Sequence, residues 1–548
     1  MPHSPSFRKI VRLLQLARRR HLQTKGETEL QSLAQWRQSR RRFIKHGAGL
    51  SMAAVSLTTF PNLYAQAASF AQSASNSKEG AKAIRVAVIG AGLAGLNAAY
   101  QLKKAGISAD VFEARKRLGG RVYSRRDLVG EDLVVEMGGE FINSDHADML
   151  GLVQEFGLQL FDRRADAASH NIANSAYYFE GKSWSEEELA SMLEDLVAQI
   201  NSDAELLDQD WDTYAPLFDR YSVANYLDQH SDLIPRPFIR NLIENCIRTE
   251  YGAEAADSSA LQLLFLLPVI DGQKLELLGY SDETYTVSGG NALIVDALAQ
   301  ALSGQVHQGK ALTELEQKSK RGFELQFSDG SEYEADYVII AIPFGTLRDV
   351  EINTPLPNKF RKFIQQVDLG HNEKLLAGYR QRLWRQATGF SLEAWSDLGF
   401  SEVWDASQRQ AEQSDGALTY FLGGNEVNPL VNDTVEAKRL GEKFSHSLSQ
   451  FIPKLEQYNF AYANTAWTRH PYSRGAYVNY RPGQLSQFGD YLWVESEDPG
   501  EQQNVSVGNL IFAGEHLSDE YYGFMNGAAQ TGRLAAQLLL AKLSKSNF

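Results

Sequence analysis

The run from Ile84 to Ile89 passes without a break into Gly90-Ala91-Gly92-Leu93-Ala94-Gly95, and this junction constrains the fold more than any other feature. The run is short and β-branched, which predicts a buried strand. The stretch after it (LNAAYQLKKAG) has helical periodicity. Gly90 permits a tight turn, Gly92 lets backbone approach a pyrophosphate, and Gly95 lets the helix pack closely on the strand. Phosphates then sit at the helix N-terminus, where free N–H groups and the helix dipole attract anions. A second strand, Asp110-Val111-Phe112-Glu113, ends in an acid positioned to accept from ribose hydroxyls. Strand, turn, helix, strand and acid together predict a dinucleotide site in an α/β sheet.

At 548 residues the chain exceeds what one core organises, so two or more domains are expected. The single cysteine, Cys246, excludes an intrachain disulfide and a multi-cysteine metal site, and its apolar surroundings read as core. Residues 1–67 carry twelve Lys and Arg against two acids, although the whole chain is at −14. The body beyond residue 67 is therefore strongly acidic, which argues against nucleic-acid binding.

The basic segment contains Ser39-Arg40-Arg41-Arg42-Phe43-Ile44-Lys45, a short apolar run from Gly47 to Phe60, and Ala65-Gln66-Ala67. It resembles a twin-arginine export signal with a small-residue cleavage site. That resemblance implies export of the folded protein to a periplasm or equivalent lumen. The apolar run is shorter than the ~20 residues a membrane span needs, and no later segment is long and apolar enough. Residues 68–81 read as a flexible lead-in.

After Glu113 the chain continues Ala114-Arg115-Lys116-Arg117-Leu118-Gly119-Gly120-Arg121. This run, with Glu136-Met137-Gly138-Gly139-Glu140-Phe141-Ile142 and Tyr285-Thr286-Val287-Ser288-Gly289-Gly290-Asn291, resembles the FAD-binding amine oxidase family, monoamine oxidases and L-amino-acid oxidases included. So do Asn509 to Glu515 and Gly523-Phe524-Met525-Asn526-Gly527-Ala528, which open a long closing helix. The likeness runs over nearly all of residues 82–545. It implies FAD, held by Gly90, Gly92, Gly95, Glu113, Arg115, Gly120, Arg121, Gly138, Gly139, Glu140, Trp467, Gly514, Glu515, Phe524 and Met525. It also implies a glutathione-reductase-like, Rossmann-type α/β domain from 82–139, 285–345 and 491–545. A discontinuous α+β substrate domain from 140–284 and 346–490 completes the amine-oxidase-like fold.

Three further features resemble the amine-oxidising members. Lys374, ahead of Leu383-Trp384, matches the lysine that holds a water near flavin N5. Trp467 to Tyr477 matches the segment whose last Tyr forms one wall of an aromatic cage; the second wall falls on Phe524, with Tyr522 as a substitute nearby. Ala476 stands where covalent-flavin members carry Cys, which implies non-covalent FAD. Phe141 stands where L-amino-acid oxidases carry a carboxylate-binding Arg, leaving Arg474 or an arginine of the helical region for that task. Glu140 is a candidate partner for a cationic substrate.

The resemblance therefore implies oxidation of the C–N bond of a primary amine or L-amino acid to an imine, through Lys374, Tyr477 and Phe524. Oxygen would be reduced to hydrogen peroxide, or a quinone would serve as acceptor. A desaturase-like or protoporphyrinogen-oxidase-like enzyme of the same fold and a non-catalytic flavoprotein are the rival readings. No metal site and no nucleic-acid partner are expected, and a homodimer is left open.

Overall fold

The computed structural model describes residues 84–545, apart from 171, 266–269, 272–273, 276–282, 320–321, 432–433 and 497–499. The twin-arginine segment and its cleavage site lie outside the described residues.

Val86–Ile89 is fully buried along its length, as befits a strand covered on both faces. It lies inside a six-stranded sheet whose order is Val306–Gln308, Asp110–Glu113, Val86–Ile89, Tyr337–Ile340, Leu510–Phe512 and Ser506–Val507. The first five are parallel and the last is antiparallel. Helix Leu93–Lys104 follows the glycine turn, and the closing helix Met525–Lys545 packs against it. The two helices approach closely enough that a Cβ on Gly532 would lie 2.3 Å from the Ala94 carbonyl oxygen. Asn97, buried between them, donates to the Ala529 carbonyl at 2.7 Å. Arg533 anchors the closing helix from the other side, with Nε 2.6 Å from Asp148 and Nη2 2.8 Å from Glu495.

A second, seven-stranded sheet has the order Asn459–Asn464, Asn372–Tyr379, Gly416–Gly423, Glu402–Asp405, Glu393–Ser396, Ser175–Phe179 and Lys182–Trp184. It is antiparallel except where Glu393–Ser396 meets Ser175–Phe179. The helical patterns after Trp184 appear as Glu186–Gln209, Val223–Gln229 and Pro237–Tyr251, with Trp211–Asp219 between the first two. Cys246 is buried in the last of these, where burial pushes its thiol up and keeps it inert. No helix among the described residues is long and apolar enough to cross a membrane.

The strands of the parallel sheet come from residues 82–139, 285–345 and 491–545, and those of the seven-stranded sheet from 140–284 and 346–490. Two strands pair across that division among the described residues: Leu160–Asp162 with Tyr285–Val287, and Glu351–Asn353 with the 285–345 segment. Glu351–Asn353 pairs with Leu312–Ser319 in a separate four-stranded sheet.

Candidate active site

One long cavity of about 430 Å³ opens where the two sheets meet. Its floor is the glycine turn. Gly90 has φ +102°, and a Cβ there would lie 2.8 Å from the Ala341 carbonyl oxygen. Gly92 is the N-cap of Leu93–Lys104 and offers no side-chain cap, so the helix presents bare backbone to the cavity. Gly120, which also lines the cavity, faces Gly92 across a gap that a Cβ would reduce to 3.2 Å. Gly95 lies behind the cavity wall. A Cβ there would sit 1.9 Å from the Gly90 oxygen, so its role is helix-on-strand packing.

The charges around this floor suit an anionic dinucleotide. Glu113 is buried and braces the turn, accepting from the Ala91 and Arg115 N–H groups, each at 2.9 Å. The Arg115 guanidinium is buried against neutral acceptors, the Gly120 carbonyl and the Ser473 hydroxyl. Burial, with Arg117 and Arg121 adding to it against Glu113, pushes Arg115 down to about 10. A buried cation short of counter-charge favours an anion beside it. These features fit FAD: an acid for the ribose, a helix N-terminus and Arg115 for the pyrophosphate.

Further along, Arg121 donates to Glu515 at 2.7 Å and to the Ala476 carbonyl. Glu515 also accepts from the Gly523 N–H at 2.7 Å, which ties down the loop before the closing helix. Burial pushes the Glu515 carboxyl up, but Arg121 and His516 outweigh it and hold the group below its ordinary range. Gly139 lies against Met525 so closely that a Cβ would be 2.8 Å from its sulfur. Trp467 lines the same wall, with its indole N–H 2.8 Å from the Met137 carbonyl. The Glu373 carboxylate pins the Trp467 loop by accepting from the Trp467 and Thr468 N–H groups at 2.9 and 2.8 Å.

The far end is bounded by Lys374, Phe421, Tyr477, Phe524 and Met525. Tyr477 is buried with Phe141, Trp404 and Phe421, and its hydroxyl donates to the Thr249 carbonyl. Burial, reinforced by Glu250 and Glu402, raises that hydroxyl well above its usual value, so it stays protonated. Phe524 is held edge-on by His146 at 4.9 Å. Tyr522 does not line the cavity; it packs against Tyr480 at 5.9 Å, which leaves Phe524 as the aromatic at this position.

Three expectations are corrected. Glu140 does not line the cavity; its carboxylate is buried behind the wall, 2.7 Å from Lys374 Nζ and 3.1 Å from the Trp404 indole nitrogen. Its carboxylate is thus committed to Lys374 and Trp404 rather than turned into the cavity. Lys374 does line the cavity, but its ammonium donates to Glu140, to the Glu136 carbonyl at 3.0 Å and to the Gly138 carbonyl at 2.9 Å. An ammonium has three donors, so none is left to hold a water. Arg474 is no carboxylate anchor. Its guanidinium is taken by the exposed Asp349 and by the Gly345 carbonyl. The remaining residues expected at the cofactor, Gly90, Gly92, Glu113, Arg115, Gly120, Arg121, Gly138, Gly139, Trp467, Gly514, Glu515, Phe524 and Met525, all line the cavity.

The sequence reading missed Phe421, Trp404 and His516. Phe421 sits opposite Lys374 across paired strands, which only the sheet register reveals. His516 follows Glu515 directly and lines the cavity, edge-on to Phe344 at 4.5 Å. Burial pulls it down to about 4, with Arg121 adding and Glu515 opposing, so at neutral pH the ring is uncharged. Its place beside Glu515 was the available signal.

The chain matches flavin containing amine oxidoreductases over residues 93–540. The probable flavin-containing monoamine oxidase A of Dictyostelium discoideum is 25% identical over 476 residues, covering 84% of this chain and 98% of that protein. Human flavin-containing amine oxidase B is 24% identical over 479 residues, covering 84% and 86%. Among solved structures, putrescine oxidase bound to putrescine superposes with a TM-score of 0.67 at 23% identity, covering 84% of this chain and 99% of that one. Cyclohexylamine oxidase from Brevibacterium oxydans gives 0.70 at 20% identity, covering 84% and 100%.

Proposed function

The chain belongs to the flavin containing amine oxidoreductases, and from that premise we propose that it acts on a primary amine lacking a carboxylate, bound between Tyr477 and Phe524. It is an FAD-dependent enzyme that oxidises amines.

The observation that carries the substrate reading is the state of the cavity's cations. Five cationic side chains line it among the described residues. Arg121 is taken by Glu515, Lys310 by Asp329, Arg474 by Asp349 and Lys374 by Glu140. The Arg115 guanidinium is held by the Gly120 carbonyl and the Ser473 hydroxyl and is the one assigned above to the pyrophosphate. A carboxylate in the aromatic end would thus meet no free guanidinium, and a bidentate pair is what such a group needs. The guanidinium of Arg163, 3.8 Å from the centre of the Phe141 ring, is paired with the Glu283 carboxylate at 3.6 Å and donates to Gln408 and to the Glu283 carbonyl. The names of the solved relatives, putrescine and cyclohexylamine oxidases, agree with an amine of this kind.

In this reading Glu113 would accept from the ribose hydroxyls, and Arg115 with the Gly92 helix start would hold the pyrophosphate. Gly138, Gly139, Lys374 and Met525 would line the place of the flavin ring. Bound FAD supplies a two-electron acceptor for hydride from the amine's α-carbon. Tyr477 and Phe524 orient the uncharged amine and exclude water from the reacting bond. The protonated Tyr477 hydroxyl, committed to Thr249, fixes the ring rather than moving a proton. Ala476 offers no thiol for attachment, and Cys246 lies outside the cavity lining, so FAD is held non-covalently. Oxygen is the proposed final acceptor, leaving as hydrogen peroxide.

Anaerobic bleaching of the flavin absorbance tests the substrate class. Monoamines or diamines should bleach it within seconds and L-amino acids should not. Bleaching by L-amino acids alone would refute the reading.

Export by the twin-arginine route belongs to the same proposal, supported by the run Ser39-Arg40-Arg41-Arg42-Phe43-Ile44-Lys45 and by the need to fold around FAD before transport. Changing Arg40, Arg41 and Arg42 together to Lys should retain the protein in the cytoplasm. Unchanged fractionation of that variant would remove the export proposal.

A further inference from the structure

The Lys374 ammonium and the Glu140 carboxylate are each only 3% exposed and lie 2.7 Å apart. Their other hydrogen-bond partners among the described residues are neutral. Lys374's other two acceptors are the neutral Glu136 and Gly138 carbonyls. Glu140's second donor is the neutral Trp404 indole, whose ring lies 5.3 Å from the same Nζ. The backbone carbonyl of Glu140 is fixed separately, 2.7 Å from the Asn291 amide. The wall of the cavity beside Gly138 and Gly139 therefore carries a lysine whose charge is cancelled at source.

We propose that Glu140 is a charge-compensating residue. It cancels the charge of Lys374 at the aromatic end of the cavity and so restrains re-oxidation by oxygen. The inference rests on the reading that places the flavin ring between Gly139, Lys374 and Met525. In re-oxidation, oxygen takes two electrons and two protons and leaves as hydrogen peroxide. The first electron to reach it leaves it negative, so a bare cation beside it would speed the step. A lysine paired at 2.7 Å presents a dipole instead, whose field falls off faster with distance than that of a charge. Glu140 acts through Lys374.

Four proteins decide the matter: the native enzyme, Glu140→Gln, Lys374→Met and the double variant. Their pair charges are 0, +1, −1 and 0. Each is loaded with FAD, and its midpoint potential is measured spectroelectrochemically. Each is then photoreduced without substrate and mixed with oxygen. Glu140→Gln should show a higher potential and roughly tenfold faster re-oxidation, the effect expected of one uncancelled charge nearby. Lys374→Met should move both the other way by a similar factor. The double variant should return to a near-native potential. A purely positioning role for Glu140 would slow re-oxidation in Glu140→Gln as in Lys374→Met, and that result would overturn the inference. No shift in any of the four would overturn the placement of the flavin ring, and the inference with it. If Lys374→Met fails to retain FAD, comparison of Glu140→Gln with the double variant isolates the lysine's charge by itself.

Discussion

Glu113→Ala protein should leave purification colourless, with its affinity for added FAD reduced on the order of a thousandfold. The native carboxylate accepts from the Ala91 and Arg115 N–H groups, and it is the proposed acceptor for the ribose hydroxyls. Hydrogen bonds to a charged group contribute about 1.5–3 kcal/mol each. Losing two toward the ribose gives the affinity change. Leaving Ala91 N–H without its partner also loosens the turn at the point where the pyrophosphate approaches. Titration of the apo-protein with FAD, followed by quenching of flavin fluorescence, measures the effect. A yellow protein with native affinity would mean that the ribose is held elsewhere.

The largest effect on folding is expected at Gly95. Gly95→Val would put a Cβ 1.9 Å from the Gly90 oxygen and 3.2 Å from Val88 Cγ1, before its two methyl groups are counted. Helix Leu93–Lys104 would have to move away from Val86–Ile89. The move is blocked behind, where Gly532 of the closing helix meets the Ala94 carbonyl. Overpacking against two fixed backbones is among the mechanisms that exceed about 4 kcal/mol, and at this size that means a Tm drop of roughly 4 °C or more. Gly151→Ala is the control. It lies within helix Ala147–Glu155 with nothing within 4 Å of the added carbon, and helix propensity makes it neutral or stabilising by about 0.5–1 kcal/mol. Differential scanning calorimetry of both variants decides; an unchanged Tm for Gly95→Val would show that the helix can slide.

The glycine turn, Glu113, the Gly138-Gly139 loop and Glu515 were legible in the sequence because local spacing encodes their work. Each sits at the end of a strand or the start of a helix, within a few residues of what it braces. Lys374 was legible as a residue but not as a state. Its partner Glu140 lies 234 positions away, and Trp404, which shares that carboxylate, lies 264 from Glu140. Such meetings depend on strand register. Lys374 pairs with Phe421, and Phe421 with Glu402 on the next strand, two positions from Trp404 and so on the same face. A one-residue slip would turn every one of these side chains to the other side. Arg474 failed as a carboxylate anchor for a related reason, since nothing near it in the chain announces Asp349.

The parallel sheet has a temporal meaning as well as a spatial one. Val86–Ile89 leaves the ribosome more than four hundred residues before Leu510–Phe512, yet only Tyr337–Ile340 separates them in the finished sheet. The helix that covers the turn, Met525–Lys545, is made later still. The early glycine turn therefore waits through most of synthesis without its neighbours, and pairing at such separation is slow and exposes apolar edges to aggregation. The cavity is complete only once that helix is made, because Met525 and Ala528 line it together with the early turn. Chaperone supply and FAD supply at the moment of chain release should jointly set how much active enzyme a cell accumulates.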